Sequence, residues 1–101
     1  WLSPDPERFP SGMKPIADAA RNAGIVPGLW FAPTAVVASS ILAKDHPDWI
    51  LRDESGRPIN GGFTAPGIWM LALDTTHPEV LAYIQRVVRT FVHDWGFGYL
   101  K

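Results

Sequence analysis

Cysteine is absent from the 101 residues, which excludes disulfides and thiolate metal sites. That is compatible with a reducing compartment, and a cytoplasmic setting is the favoured expectation. Neither sign of charge is in surplus: nine Lys and Arg against ten Asp and Glu leave a net charge of −1, with both signs mixed along the chain. There is no basic stripe to neutralise phosphates, so nucleic acid is not an expected partner. No apolar run approaches transmembrane length and no signal-peptide pattern is visible, so a membrane is not expected either. The three histidines, His46, His77 and His93, show no ligand spacing. His46 and His77 each precede a proline at a helix boundary, and His93 falls on the polar side of a helical pattern. All three read as structural.

What the chain does have is tryptophan and proline, five and ten respectively, on a hydrophobic content of 47%. Length and composition suit one small globular domain. The chain starts at Trp1 without an initiator Met and stops at Lys101 inside an apolar run, so both ends read as cut from something longer. The organising stretch is 24–33, GIVPGLWFAP. A short apolar run bounded by turn residues reads as a strand, and without polar alternation both its faces are expected to be covered, as in a parallel sheet. The strand is expected over 25–32. Pro27 inside it lacks a ladder donor, which calls for a bulge or a gap at that point.

Before the strand, residues 1–10 hold three prolines and no period. Ser11 is expected to cap a helix from Gly12, with Met13, Ile16, Ala17, Ala20 and Ala23 at helical spacing and Gly24 as its left-handed stop. After the strand comes a long excursion, 33–73. In it Ser39 or Ser40 is expected to cap a short helix through Lys44. Trp49, Ile50 and Leu51 suggest a strand, residues 54–57 a turn, 61–67 a loop and 68–73 a further apolar segment. Thr76 and Glu79 have capping-box spacing. The helix expected over 77–95 carries the apolar stripe Val80, Leu81, Ile84, Val87, Val88, Phe91, Val92 and Trp95. Gly96 ends it, and 97–101 (FGYLK) reads as the next strand. Helix, strand, long loop, helix, strand in that order argues an α/β fold whose two strands are adjacent and parallel. It suits a segment of a (β/α)8 TIM barrel, which needs about 250 residues in full.

In such a barrel substrates meet the carboxyl ends of the strands. Trp30 stands at one such end and Lys101 approaches the next, with the long excursion, carrying Trp49 and Trp69, expected on the same face. An aromatic ring there matches the apolar C–H face of a pyranose. Core packing is the alternative for Trp30. The loop carboxylates Asp45, Asp48, Asp53 and Glu54 suit acid–base work or simple solvation, and Asp74 suits a helix-dipole role. Gly61-Gly62 is no phosphate loop, because no lysine and helix start follow it.

Five ordered motifs, FPSGMKPIAD, GIVPGLWFAP, HPDWILRDESGRP, LALDTTHPEVLAYI and WGFGYLK, resemble the catalytic barrel of glycoside hydrolase family 36, the alpha-galactosidases or melibiases. The resemblance implies that 1–101 is a fragment of that barrel, truncated at both ends and inactive alone. It implies a retaining hydrolase of terminal alpha-galactosides that needs no metal or cofactor. Carbohydrate is the implied partner, and the parent enzyme is allowed to be homo-oligomeric. Trp30 matches a substrate-contacting tryptophan, Lys101 the lysine that binds sugar hydroxyls, and Trp1 the tryptophan of a Gly-Asp-Trp segment; Trp69 joins them as a substrate-binding candidate. The nucleophile is implied just beyond Lys101 and the acid/base further on. Two positions depart from the common pattern, with Ala32 and Ala35 where glutamates are usual, and GGFTAPGIW replaces a Gly-Arg-Asn-Gln stretch. These mark a divergent branch. The nearest alternatives are a family 31-like alpha-glucosidase segment and a non-catalytic carbohydrate-binding module.

Overall fold

The computed structural model describes residues 1–62 and 68–101. They form two compact units, Trp1–Phe31 with Gln85–Lys101, and Ala32–Ile84.

In the first unit, helix α1 is Lys14–Asn22. It starts later than the Ser11 reading, with Met13 at the N-cap and no side-chain cap. Gly12 turns through the left-handed region (φ 75°), so Ser11 lies before that turn and not at the helix end. The exit follows expectation. Gly24 takes φ 75°, its N–H donates to the Arg21 carbonyl (2.9 Å), and the Ile25 N–H reaches back to Ala20 (2.9 Å). These two bonds are the Schellman pair that satisfies the last carbonyls of a helix.

Strand β1, Gly28–Leu29, pairs with β4, Tyr99–Leu100, in parallel register, Gly28 with Tyr99 and Leu29 with Leu100. Adjacency and direction are as expected, but both strands are shorter than 25–32 and 97–101. Pro27 explains the shortening of β1. It has no N–H, so the ladder begins with its carbonyl, which accepts from Tyr99 (3.2 Å). Ile25 and Val26, ahead of it, stay 61% and 71% exposed. Between these strands in sequence lies helix α3, Pro78–Arg89, which runs on into a wide turn over Thr90–Asp94. There the Trp95 N–H donates to the Thr90 carbonyl five residues back (2.9 Å). The Arg21 guanidinium donates to the Gly96 carbonyl and to Asp18, and Lys14 also holds Asp18 (2.8 Å). Ala17, Phe31, Val87, Phe91 and Phe97 form the buried centre of this unit. Each large apolar side chain so buried contributes about 1.5–3 kcal/mol.

The second unit is built on an antiparallel pair, β2 (Ala35–Val37) with β3 (Met70–Ala72), Val36 opposite Leu71. The helix–strand–loop–helix–strand reading contains no β2. Three apolar residues after Pro33 and Thr34 are too few to show a period, and their pairing depends on β3 more than thirty residues away. Helix α2, Ile41–Asp45, is capped as expected by the Ser40 hydroxyl, which accepts from the Ala43 N–H (3.2 Å). The strand expected at 49–51 is instead a 3-10 turn, Pro47–Trp49, followed by single bridges from Ile50 to Leu73 and Arg52 to Pro58. The turn between them is closed by Asp53, which accepts from Ser55 and Arg57. Of the loop expected at 61–67, residues 63–67 lie outside those described.

The capping box at the start of α3 does not form. The Thr76 hydroxyl donates to the Asp74 carboxylate (2.6 Å), and Glu79 accepts from the Trp49 indole N–H (3.2 Å). The Glu79 amide is capped by His77 Nδ1 (3.2 Å). The Glu79 amide that a capping box would give to the Thr76 oxygen is thus already taken by His77, and the Thr76 hydroxyl is turned to Asp74. Along α3 and the wide turn after it the buried positions are Val80, Tyr83, Val87 and Phe91, while Leu81 and Val92 lie at the stripe's edges, 46% and 39% exposed. Tyr83 sits where the 3.6 period places the centre of the stripe but was not read into it.

Candidate functional site

At the carboxyl ends of β1 and β4 the ladder continues one residue further. The Lys101 N–H donates to the Leu29 carbonyl and the Phe31 N–H to the Lys101 carbonyl, both at 3.0 Å. These two bonds bracket Trp30 and make it the register partner of Lys101. Trp30 is 56% exposed, although its neighbour Phe31 is buried, as alternation along a strand requires. Trp1 packs edge-on against Trp30 (ring centroids 6.1 Å, 68°) and against Phe31 (6.2 Å, 84°). Phe31 in turn meets Phe91 edge-on (5.2 Å). A small hollow of about 150 Å³ opens here, lined by Trp1, Met13, Leu29, Trp30 and Trp95 among others. Trp1, Trp30 and Lys101, three of the four residues singled out from sequence, thus come together. An aromatic wall stacks on the apolar face of a ring, and an ammonium group offers three donors to hydroxyl oxygens.

The fourth, Trp69, belongs to the second unit. It precedes β3, is 68% exposed, and its carbonyl accepts the Ala38 N–H (2.8 Å). Trp49, also in this unit, is core: it is buried, stacked under His46 (3.9 Å, 21°) and packed on Tyr83 (5.7 Å). Asp48, His77 and Glu79 bring their ligand atoms within 4.8 Å of one another, the spacing a metal ion would need. Their hydrogen bonds argue otherwise. His77 Nδ1 accepts the Glu79 N–H, so in the neutral ring Nε2 carries the proton and faces Asp48 (3.6 Å), leaving no lone pair for a cation. Asp53 and Asp74 are engaged in local turns. Hydrogen bonds from the Ser55 hydroxyl and the Arg57 amide hold the Asp53 carboxyl below the usual carboxylate range, and the Thr76 hydroxyl does the same for Asp74.

A parallel strand pair with an exposed aromatic and a lysine at its carboxyl ends is the arrangement of α/β proteins that bind ligands at strand ends. The model of the melibiase family matches residues 1–101, and the chain belongs to that family. A solved alpha-galactosidase from Thermus thermophilus, in complex with p-nitrophenyl alpha-D-galactopyranoside, is 44% identical and superposes with a TM-score of 0.83 over 92% of this chain. Alpha-galactosidase 2 of Pediococcus pentosaceus is 30% identical over 96% of the chain. A type blood alpha-D-galactosamine galactosaminidase of Flavonifractor plautii is also 30% identical over 96%. The chain spans 19% of the Thermus structure and 13% and 10% of the other two proteins.

Phe31, Phe91 and Trp95 are the residues sequence reading left out of the site. Trp95 and Phe91 stack on each other (5.0 Å, 21°). Phe31 had a signal, since it adjoins Trp30 on a strand and must face the opposite way, toward the helices.

Proposed function

We propose that residues 1–101 are a segment of the catalytic (β/α)8 barrel of a retaining glycoside hydrolase that cleaves terminal alpha-galactosides. The observation that carries this reading is the pairing of Trp30 with Lys101 at the carboxyl ends of adjacent parallel strands. The family membership of the whole chain supports it. In this reading the Trp30 ring is the platform for the apolar face of the galactosyl ring, and Trp1, edge-on to it, forms a second wall. Lys101 donates to sugar hydroxyls, and Trp69, which belongs to the second unit, is proposed separately as a carbohydrate-binding aromatic. The attacking carboxylate and the acid/base belong to sequence outside these residues, so the segment contributes binding and orientation rather than bond cleavage.

The test is hydrolysis by the intact polypeptide that carries this sequence. Proton NMR would follow p-nitrophenyl alpha-galactoside and the corresponding alpha-glucoside. The expected result is release of galactose with the alpha anomer appearing first. Preference for the glucoside would support the family 31-like reading. Galactose binding without turnover would support a carbohydrate-binding module.

A further inference from the structure

Three of the four proposed sugar-binding residues share one neighbour. Phe31 follows Trp30 directly in the chain, its N–H is bonded to the Lys101 carbonyl (3.0 Å), and its ring takes the edge of Trp1 (6.2 Å). Phe31 itself is 9% exposed and has no access to a ligand comparable to that of Trp30. On its other side lies Phe91, 1% exposed, with ring centroids 5.2 Å apart and planes at 75°. Phe91 is not on a regular helix. It stands in the wide turn Thr90–Asp94, stacked against Trp95, and its carbonyl accepts the Phe97 N–H (2.9 Å) that leads the chain into β4. Inserting one residue into a helical turn rotates every later side chain relative to the helix before it, and such wide turns concentrate at functional sites. Here the widened turn sets Phe91 and Trp95 together beneath Phe31.

The geometry points to Phe31, seated on Phe91 in the wide turn after α3, as a positioning residue that sets the angle between the Trp1 and Trp30 rings and the height of Lys101. It acts through three separate links: a peptide bond to Trp30, a backbone hydrogen bond to Lys101 and an aromatic edge to Trp1. Aromatic pairs of this kind hold a preferred angle, so a leucine of similar apolarity fills space without fixing orientation. The helix therefore contributes to ligand binding without touching ligand. This inference rests on the proposed sugar-binding role of Trp1, Trp30 and Lys101.

The experiment uses the intact polypeptide and the variants Phe31→Leu, Phe91→Leu and Val87→Ala. Val87, on α3 just before the wide turn, is as deeply buried as Phe91, 1% exposed, and serves as the packing control. Two readouts are taken: steady-state kinetics with p-nitrophenyl alpha-galactoside, and the near-ultraviolet circular dichroism of the tryptophans. For Phe31→Leu, KM is expected to rise about tenfold with kcat changed far less, since a misplacement on the ångström scale is enough for such a loss. The tryptophan signal is expected to collapse at the same time. Phe91→Leu, a milder change one contact further out, should move both readouts in the same direction by a smaller factor. It carries the test if Phe31→Leu does not fold. Val87→Ala should lower stability and leave KM and the dichroism unchanged. The inference is overturned if Phe31→Leu and Phe91→Leu keep KM within twofold. It is equally overturned if Val87→Ala shifts KM and dichroism as much as they do. An intact wild-type protein with no action on alpha-galactosides would defeat the proposed function instead, and the dichroism would then decide the positioning role alone.

Discussion

Replacing Trp30 by alanine separates its two readings, ligand platform and core residue, because only a platform loses activity along with stability. A Trp side chain presents up to about 250 Å², and Trp30 is 56% exposed, so about 140 Å² is open. A pyranose covering half of that, about 70 Å², at about 25 cal/mol per Å² gains about 1.8 kcal/mol, or about 20-fold in affinity. What the fold itself loses is the burial of the other part, about 110 Å² or about 2.8 kcal/mol, and the edge contact with Trp1, about 1 kcal/mol. A core tryptophan would lose about 3–5 kcal/mol on truncation to alanine. Trp30→Ala in the intact polypeptide is therefore expected to lower kcat/KM for an alpha-galactoside by about 20-fold and to cost up to about 4 kcal/mol of unfolding free energy, so the kinetic loss is what separates the two readings. The assays are initial rates on p-nitrophenyl alpha-galactoside and a denaturant titration of the same samples. A kcat/KM within threefold of wild type in a folded variant would return Trp30 to the core and remove the main support for the platform.

Two further outcomes follow from the second unit and from the exposed carboxylates. A Cβ added at Gly61 would lie 2.6 Å from the Leu71 carbonyl oxygen and 2.7 Å from its carbon, both backbone atoms of β3. Gly61→Ala must push β3 away and is expected to cost about 2 kcal/mol locally, seen as faster hydrogen exchange at the Ala72 amide, whose partner is the Ile59 carbonyl. Unchanged exchange there would refute the close approach. For pH, three carboxyls are held below the usual range: Asp18 by Lys14 first and then Arg21, Asp53 by Ser55 first, and Asp74 by Thr76 first. A carboxyl depressed in the folded state binds fewer protons there than when unfolded. Its contribution is present above the unfolded value near 4 and disappears as pH falls through the folded value. Denaturant midpoints should thus be flat from about pH 7 to 5 and fall below about pH 4, with Asp53→Asn and Asp74→Asn flattening the acid limb. An acid limb identical in the double variant would show that these carboxyls do not contribute.

Local physics was readable without coordinates wherever one residue type suffices for the geometry. Gly24 ends α1 in the left-handed conformation, the Ser40 hydroxyl caps α2, and the 3.6 period of α3 buries Val80, Tyr83 and Val87. The parallel pairing of the two flanking strands also follows from order alone, because a strand, a helix and a strand close in only one common way. The same holds for the proximity of Trp30 and Lys101, since both sit at strand ends. Elsewhere several local solutions competed and only the surroundings chose. Thr76 and Glu79 have capping-box spacing, but the Glu79 amide goes to His77 and its carboxylate to Trp49, while the Thr76 hydroxyl donates to Asp74. Trp49 read as part of a strand and became the buried centre of an aromatic cluster, its indole N–H satisfied by Glu79 thirty residues away. Strand β2 exists only because β3 supplies its hydrogen-bond partners across a long excursion.

The amino-acid sequence by itself determined the family, the order of the main elements and which aromatic stands at a strand end. Those depend on residue identity and on spacing along the chain. The tertiary structure alone decided that Trp1 meets Trp30, that Phe31 links both to Lys101, and that the turn after α3 widens to seat Phe91. Ring angles and hydrogen-bond choices depend on which groups arrive from distant parts of the chain, and no local pattern encodes them.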